Sequence, residues 1–180
     1  MKEAISTNPN AKWKIVMWHY SIYSSGGHAA DEEIRALKYY MVPVLDDLDI
    51  DLVLMAHDHS FARTYQMVGD EPQLEQKVDE NGRIIDPSGT VYLTANSSSG
   101  SKYYELNKKY NVKDNPDTAE IEGPDPYFEY VDAAGQLKNP LFSYILIDHD
   151  SLEIATYTTD TMEMIDSYAI IKEGKNPPGN

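Results

Sequence analysis

The chain has 180 residues, and its 15 Lys plus Arg against 30 Asp plus Glu give a formal net charge of −15. That length fits one domain, or one with a long insertion, able to bury roughly 70% of its unfolded surface, and 41% apolar with 25% charged residues is a globular composition. The acid excess disfavours nucleic acid, the lack of any run near roughly 18 apolar residues disfavours a membrane span, and zero cysteines exclude disulfides, thiolate metal sites and a cysteine nucleophile.

Residues 1–12 lack the apolar stretch of a signal peptide. Trp13 to Trp18 reads as a buried strand, because a short run of β-formers follows the Asn8-Pro9-Asn10 loop. Ser24-Ser25-Gly26-Gly27 is a loop. From Asp31, a candidate N-cap, Ile34, Leu37, Met41, Val44, Leu45 and Leu48 recur at helical spacing, with Pro43 expected to kink the helix or start a second one. Leu52 to Ala56 is a second buried strand, so residues 13–65 form a βαβ unit with parallel strands and a right-handed crossover. Residues 69–89, rich in Gly, Pro and Asn-Gly, suit a long loop or hairpin, and Thr90 to Ala95 is a strand followed by a polar turn, Asn96 to Gly100.

Residues 101–140 read as an insertion. Within it, Asp114 to Asp132 holds seven acids and no base, a pattern of solvated surface. The closing strands fall within 141–172: Ser143 to Asp148, Leu152 to Thr158 and Ile165 to Ile171, the first two joined as a hairpin through Asp148 to Ser151. Residues 175–180 are expected to fray. Fourteen tyrosines against three phenylalanines mean that buried rings must keep their hydroxyls near water or a partner.

Three of the five histidines fall where the βαβ unit brings them together. His19 follows the first strand, and His57 and His59 follow the second, all at carboxyl ends on the edge where open α/β sheets bind ligands. If the strand continues through the His-x-His pair, both rings share a face. Neutral imidazoles suit Zn, Fe, Ni or Cu, so a nitrogen and oxygen metal site is one expectation and ordinary surface histidines the other. His28 lies in the following loop behind two glycines, placed either to act as general acid and anion contact or simply to precede the helix cap. His149 sits in a hairpin turn and is expected to be exposed. Arg63 is expected to form a structural salt bridge rather than to bind an anion.

The stretches Ile15-Val16-Met17-Trp18-His19-Tyr20-Ser21-Ile22-Tyr23-Ser24-Ser25-Gly26-Gly27-His28 and Leu52-Val53-Leu54-Met55-Ala56-His57-Asp58-His59-Ser60-Phe61-Ala62-Arg63-Thr64-Tyr65 resemble the C-terminal half of calcineurin-like metallophosphoesterases, most of all the purple acid phosphatase branch. The resemblance implies an α/β fold, the C-terminal half of a four-layer α/β/β/α sandwich, with 1–180 a single partial domain. It implies hydrolysis of phosphoric monoesters by a hydroxide bound to two metal ions, Fe, Zn or Mn, in a longer parent chain. On the matching positions, His19 and His57 would ligate one metal and His59 the other, while His28 would contact substrate phosphate or protonate the leaving group. Local charge from metal would also reconcile an anionic substrate with an acidic surface. The resemblance further implies a secreted or cell-surface parent.

The sequence departs from that pattern at several points. Ala56 stands where the family has Gly, Tyr20 where a second His is common, and Ala62 where Glu often precedes the Arg. The family's carboxylate-bearing N-terminal motifs are not present, so these residues are expected to hold no metal or one by themselves, with doubtful activity in isolation. The expected partners are a phosphoester, and the missing half-domain or a second copy pairing at the open sheet edge. A non-catalytic binding module retaining half of the sandwich is the alternative, and a mononuclear zinc hydrolase a third.

Overall fold

The computed structural model describes residues 1–106 and 129–173. In chain order its elements are α1 (Lys2–Ser6), β1 (Ile15–Met17), a 3₁₀ turn (Gly27–Ala30), α2 (Glu32–Asp47), β2 (Leu52–Met55), β3 (Phe61–Thr64), β4 (Met67–Val68), β5 (Glu71–Pro72), β6 (Ile84–Ile85), β7 (Val91–Thr94), β8 (Val131–Gly135), β9 (Leu141–Ile147), β10 (Ser151–Thr158) and β11 (Met164–Ile171). One sheet runs β1-β2-β7-β3-β8, with β1, β2 and β7 parallel and β3 antiparallel to both of its neighbours. A second runs β6-β11-β10-β9.

Strand β2 is apolar along its whole length and β7 over Val91–Leu93, because both of their faces are covered. Val53, Met55 and Tyr92 point toward α2, where they meet Val42 and Leu45. Leu52, Val91 and Leu93 point the other way, into the second sheet, against Leu152, Ile154 and Ile170. The layers are therefore α/β/β, with one core on each face of the first sheet. β10 alternates buried and half-buried residues in the period-2 pattern of a strand with one covered face.

Several expectations change in detail. The strand read from Trp13 to Trp18 contracts to Ile15–Met17, and it is an edge rather than a buried strand: Met17 is 80% exposed, since β2 is its one sheet neighbour among the described residues. Pro43 lies inside α2, which stays a single helix. Of the segment read as an insertion, 107–128 lies outside the described residues, as does 174–180, while Val131–Gly135 forms β8 on the edge of the first sheet. Among the described residues no helix is long and apolar enough to cross a membrane.

Candidate functional site

The parallel strands β1, β2 and β7 all end at one edge, and each hands over a polar segment there. Backbone pairing continues past the strands: Ala56 N–H donates to His19 O and Ala95 N–H to Met55 O, both at 3.0 Å. This fixes His19 beside His57. The chain does not stay extended through the His-x-His pair; His57 and His59 have φ of 73° and 49°, a left-handed conformation uncommon for residues other than glycine and costing of order 1–3 kcal/mol each. The two rings are therefore aimed by these turns and not by strand alternation.

His57 Nδ1 lies 3.1 Å from His19 Nε2. The His28 ring is 4.3 Å from that of His57, centroid to centroid, and the Tyr20 ring is 5.0 Å from it on another side. The Tyr104 ring connects His59 to His28, at 4.9 Å from His59 and 5.6 Å from His28. Gln136 Nε2 ties the two segments together by donating to the carbonyls of both His59 and Tyr104 at 2.7 Å. His59 Nδ1 is buried and has no hydrogen-bond partner. Burial, reinforced by the neighbouring His28 and His19 and opposed by Asp31, pushes His57 below the usual imidazole range.

His28 Nδ1 pairs with Asp31 Oδ2 at 2.6 Å. Asp31 is the N-cap residue of α2 by position but makes no side-chain cap bond; its carboxylate serves His28 instead. Such a pair fixes the imidazole tautomer and leaves Nε2 as the uncommitted ring nitrogen. The loop that presents His28 is anchored from below by Tyr130, whose hydroxyl donates to Ser24 O at 2.6 Å.

Asp58, between the two histidines, is fully buried. Burial pushes its carboxyl above the usual range, against the opposing pull of Ser24, His28, Ser21 and the Ser25 N–H. None of those groups reaches hydrogen-bond geometry, and both carboxylate oxygens are without a partner. Arg63 belongs to no part of this edge: it is buried between the sheets, paired with Asp166 at 2.7 and 2.9 Å and with Asp132 at 2.6 Å. His149 is exposed in the β9–β10 turn beside Asp150.

Two imidazole nitrogens on one cation at about 2.0–2.1 Å sit roughly 3.3 Å apart at a tetrahedral angle, so His19 and His57 have the spacing of two ligands of one metal. The site is nonetheless incomplete as a metal centre. Among the described residues no group of three or more His, Asp or Glu is arranged to hold an ion. The residues fit part of a metal site. Tyr104, Asp31 and Asp58 are the participants that sequence reasoning missed. The i,i+3 spacing of His28 and Asp31 was a visible signal, whereas nothing in the sequence places Tyr104, more than forty positions beyond His59, against its ring.

Residues 2–61 match the sequence profile of the calcineurin-like phosphoesterase family. Purple acid phosphatase 4 of Arabidopsis thaliana is 38% identical over 50 residues, 28% of this chain and 14% of that protein. Purple acid phosphatase 3 of the same plant is 41% identical over 49 residues, 27% of this chain and 13% of that protein. Among solved structures, the purple acid phosphatase PPD1 from yellow lupin (Lupinus luteus) seeds superposes with a TM-score of 0.57 at 15% identity, covering 89% of this chain and 25% of that one. GAP50, the anchor in the inner membrane complex of Plasmodium, superposes with a TM-score of 0.57 at 17% identity, covering 92% of this chain and 38% of that one. The matched segment thus spans about a seventh of the length of these curated relatives. The stretch matched by the family profile includes His19, His28, His57 and His59, and over it the chain is similar to calcineurin-like phosphoesterases, with purple acid phosphatases among its relatives.

Proposed function

We propose that this chain carries the histidine share of a metal-dependent phosphoesterase centre that hydrolyses phosphomonoesters as part of a longer protein. The observation that supports this best is the convergence of His19, His28 and His57 on the carboxyl edge of β1 and β2, with two ring nitrogens 3.1 Å apart. In this reading His19 and His57 hold one cation and His59, with its unpartnered buried Nδ1, contributes to a second. Carboxylates from outside these 180 residues complete the set. Fe, Zn and Mn suit such nitrogen and oxygen donors. When bound, a cation pair supplies a water acidic enough to be a nucleophile and positive charge for the phosphoryl oxygens.

The chain's own residues do the rest. His28, with Nδ1 committed to Asp31, presents Nε2 to a phosphoryl oxygen or delivers a proton to the leaving oxygen. Tyr104 covers His28 and His59 and limits water there. The net charge of −15 makes phosphate binding dependent on metal.

A second reading, a non-catalytic interaction module with at most one metal, draws support from the all-imidazole donor set and from the absence of a three-residue ligand group among the described residues. Calorimetric titration with Zn or Mn, paired with p-nitrophenyl phosphate assays, separates the two. Binding near one equivalent, lost in His57→Ala and kept in His149→Ala, with metal-dependent turnover that vanishes in His57→Ala, supports the phosphoesterase. Metal binding without turnover even when the longer protein is assayed favours the module. No binding at micromolar metal, in the longer protein as well as in this chain, rejects the site altogether.

A further inference from the structure

We propose that Asp31 is a positioning residue for the site: it holds the His28 ring by Nδ1, leaving Nε2 for substrate, and does so instead of capping α2. The role rests on the phosphoesterase reading for the reaction that His28 serves. Backbone and residue type both make Asp31 an N-cap. Its φ of −64° and ψ of 134° are extended, as before a first helical turn, and its carbonyl accepts from Arg35 N–H at 3.1 Å. A capping aspartate turns its carboxylate onto the first free N–H groups of the helix. Asp31 makes no such bond, and its Oδ2 lies 2.6 Å from His28 Nδ1.

The turn before the helix brings the two residues together. Gly27–Ala30 is a 3₁₀ turn, in which positions three apart eclipse one another, and Asp31 N–H donates to His28 O at 3.0 Å. His28 and Asp31 are therefore joined through backbone and side chain at once.

Stability does not explain why the carboxylate turns this way. The two side chains are 31% and 44% exposed, and a charged pair so open to water adds little, whereas a satisfied cap stabilises its helix. At the site the bond has a clear effect. The His57 ring lies 4.3 Å from that of His28 and the Tyr104 ring 5.6 Å, so the carboxylate is the third contact that fixes the imidazole. With Nδ1–H donating to Asp31, Nε2 is the nitrogen left to exchange a proton with a phosphoester.

Serine is the discriminating replacement, because it caps a helix as well as aspartate does but falls a bond short of the imidazole. In the metal-free chain at mildly alkaline pH, long-range proton–nitrogen NMR is expected to place the His28 proton on Nδ1 in the parent and on Nε2 in Asp31→Ser. Tm and helix content should be kept or raised in that variant. In the longer protein loaded with metal, kcat/KM is measured on glycerol phosphate, an alkyl ester whose leaving oxygen needs a proton. It is expected to fall about tenfold or more in Asp31→Ser, and the same substitution added to His28→Ala should change nothing further. The role is rejected if the parent carries the proton on Nε2, if Asp31→Ser leaves it on Nδ1, if that variant loses Tm and helix content together, or if it lowers activity equally with and without His28. A longer protein that turns over no phosphoester overturns the phosphoesterase reading and this role with it. Turnover beside any of those four results overturns the role alone.

Discussion

Arg63 is 4% exposed and always charged, and it keeps that charge because two carboxylates flank its guanidinium and the Tyr168 ring lies 4.4 Å from it. The same burial pushes the Tyr168 phenol up to about 12. Arg63→Met leaves Asp166 and Asp132 facing each other without a cation, and a cost of about 3–5 kcal/mol is expected in chemical denaturation. Arg63→Lys cannot reproduce the bidentate pair and falls between; equal stability for all three forms would show the network to be idle. Asp58 illustrates the opposite case, a buried carboxylate with no compensating cation in bonding range. Its folded pKa is raised above 3.8. The unfolded chain therefore ionises first as pH rises, and Asp58 subtracts stability above that pH, in full once the folded pKa is passed. Asp58→Asn is expected to raise Tm at pH 7 by about 2–4 °C, the equivalent of about 1 kcal/mol in a chain of this size. The gain should disappear below about pH 4; a gain that persists there would mean that packing, not charge, is responsible.

At the scale of elements, the sequence was most informative where one physical demand dominated. The apolar runs of β2 and β7 announce strands covered on both faces, and the alternation in β10 announces one covered face. Strands β3 and β8 gave little notice, because Phe61-Ala62-Arg63-Thr64 buries its Arg only through Asp132 and Asp166, which lie 69 and 103 positions away. The same holds at the site: the shared strand edge was readable for His19 and His57, whereas Tyr104 and the left-handed turns at His57 and His59 depend on contacts no local pattern encodes. Two substitutions probe these elements. Leu93→Ala empties the core between the sheets and should cost about 2–5 kcal/mol. Tyr130→Phe removes the bond to Ser24 O under the His28 loop, with a global cost of about 0.5–1.5 kcal/mol. Its signature is faster amide exchange confined to residues 22–28 with β10 unaffected; uniform acceleration would place the effect in the core instead.

The whole molecule presents one unusual border. β1 is the first strand of the five-stranded sheet, and among the described residues its outer side meets no strand. Met17 is 80% exposed and Ile15 38% exposed, and just beyond them Trp18 carries a buried indole N–H without a partner. Native edges are usually blunted by a charge, a proline or a bulge; Ile15-Val16-Met17 has none of these. Strand addition here would extend the sheet that ends at His19 and cover both exposed side chains. When no other segment is supplied, a second copy is the strand at hand, so sedimentation velocity should show concentration-dependent dimers. The net charge of −15 per chain opposes that association at low ionic strength, and salt screens the repulsion, with a Debye length of about 10 Å at 0.1 M and 3 Å at 1 M. Dimerisation should therefore strengthen as salt is raised, the reverse of what an ion-paired interface would show. Met17→Lys puts a charge on the free edge while giving up little buried surface, so it should yield monomers at every salt concentration with an unchanged Tm. Dimers that survive Met17→Lys, or that weaken with salt, would place the contact elsewhere on the molecule.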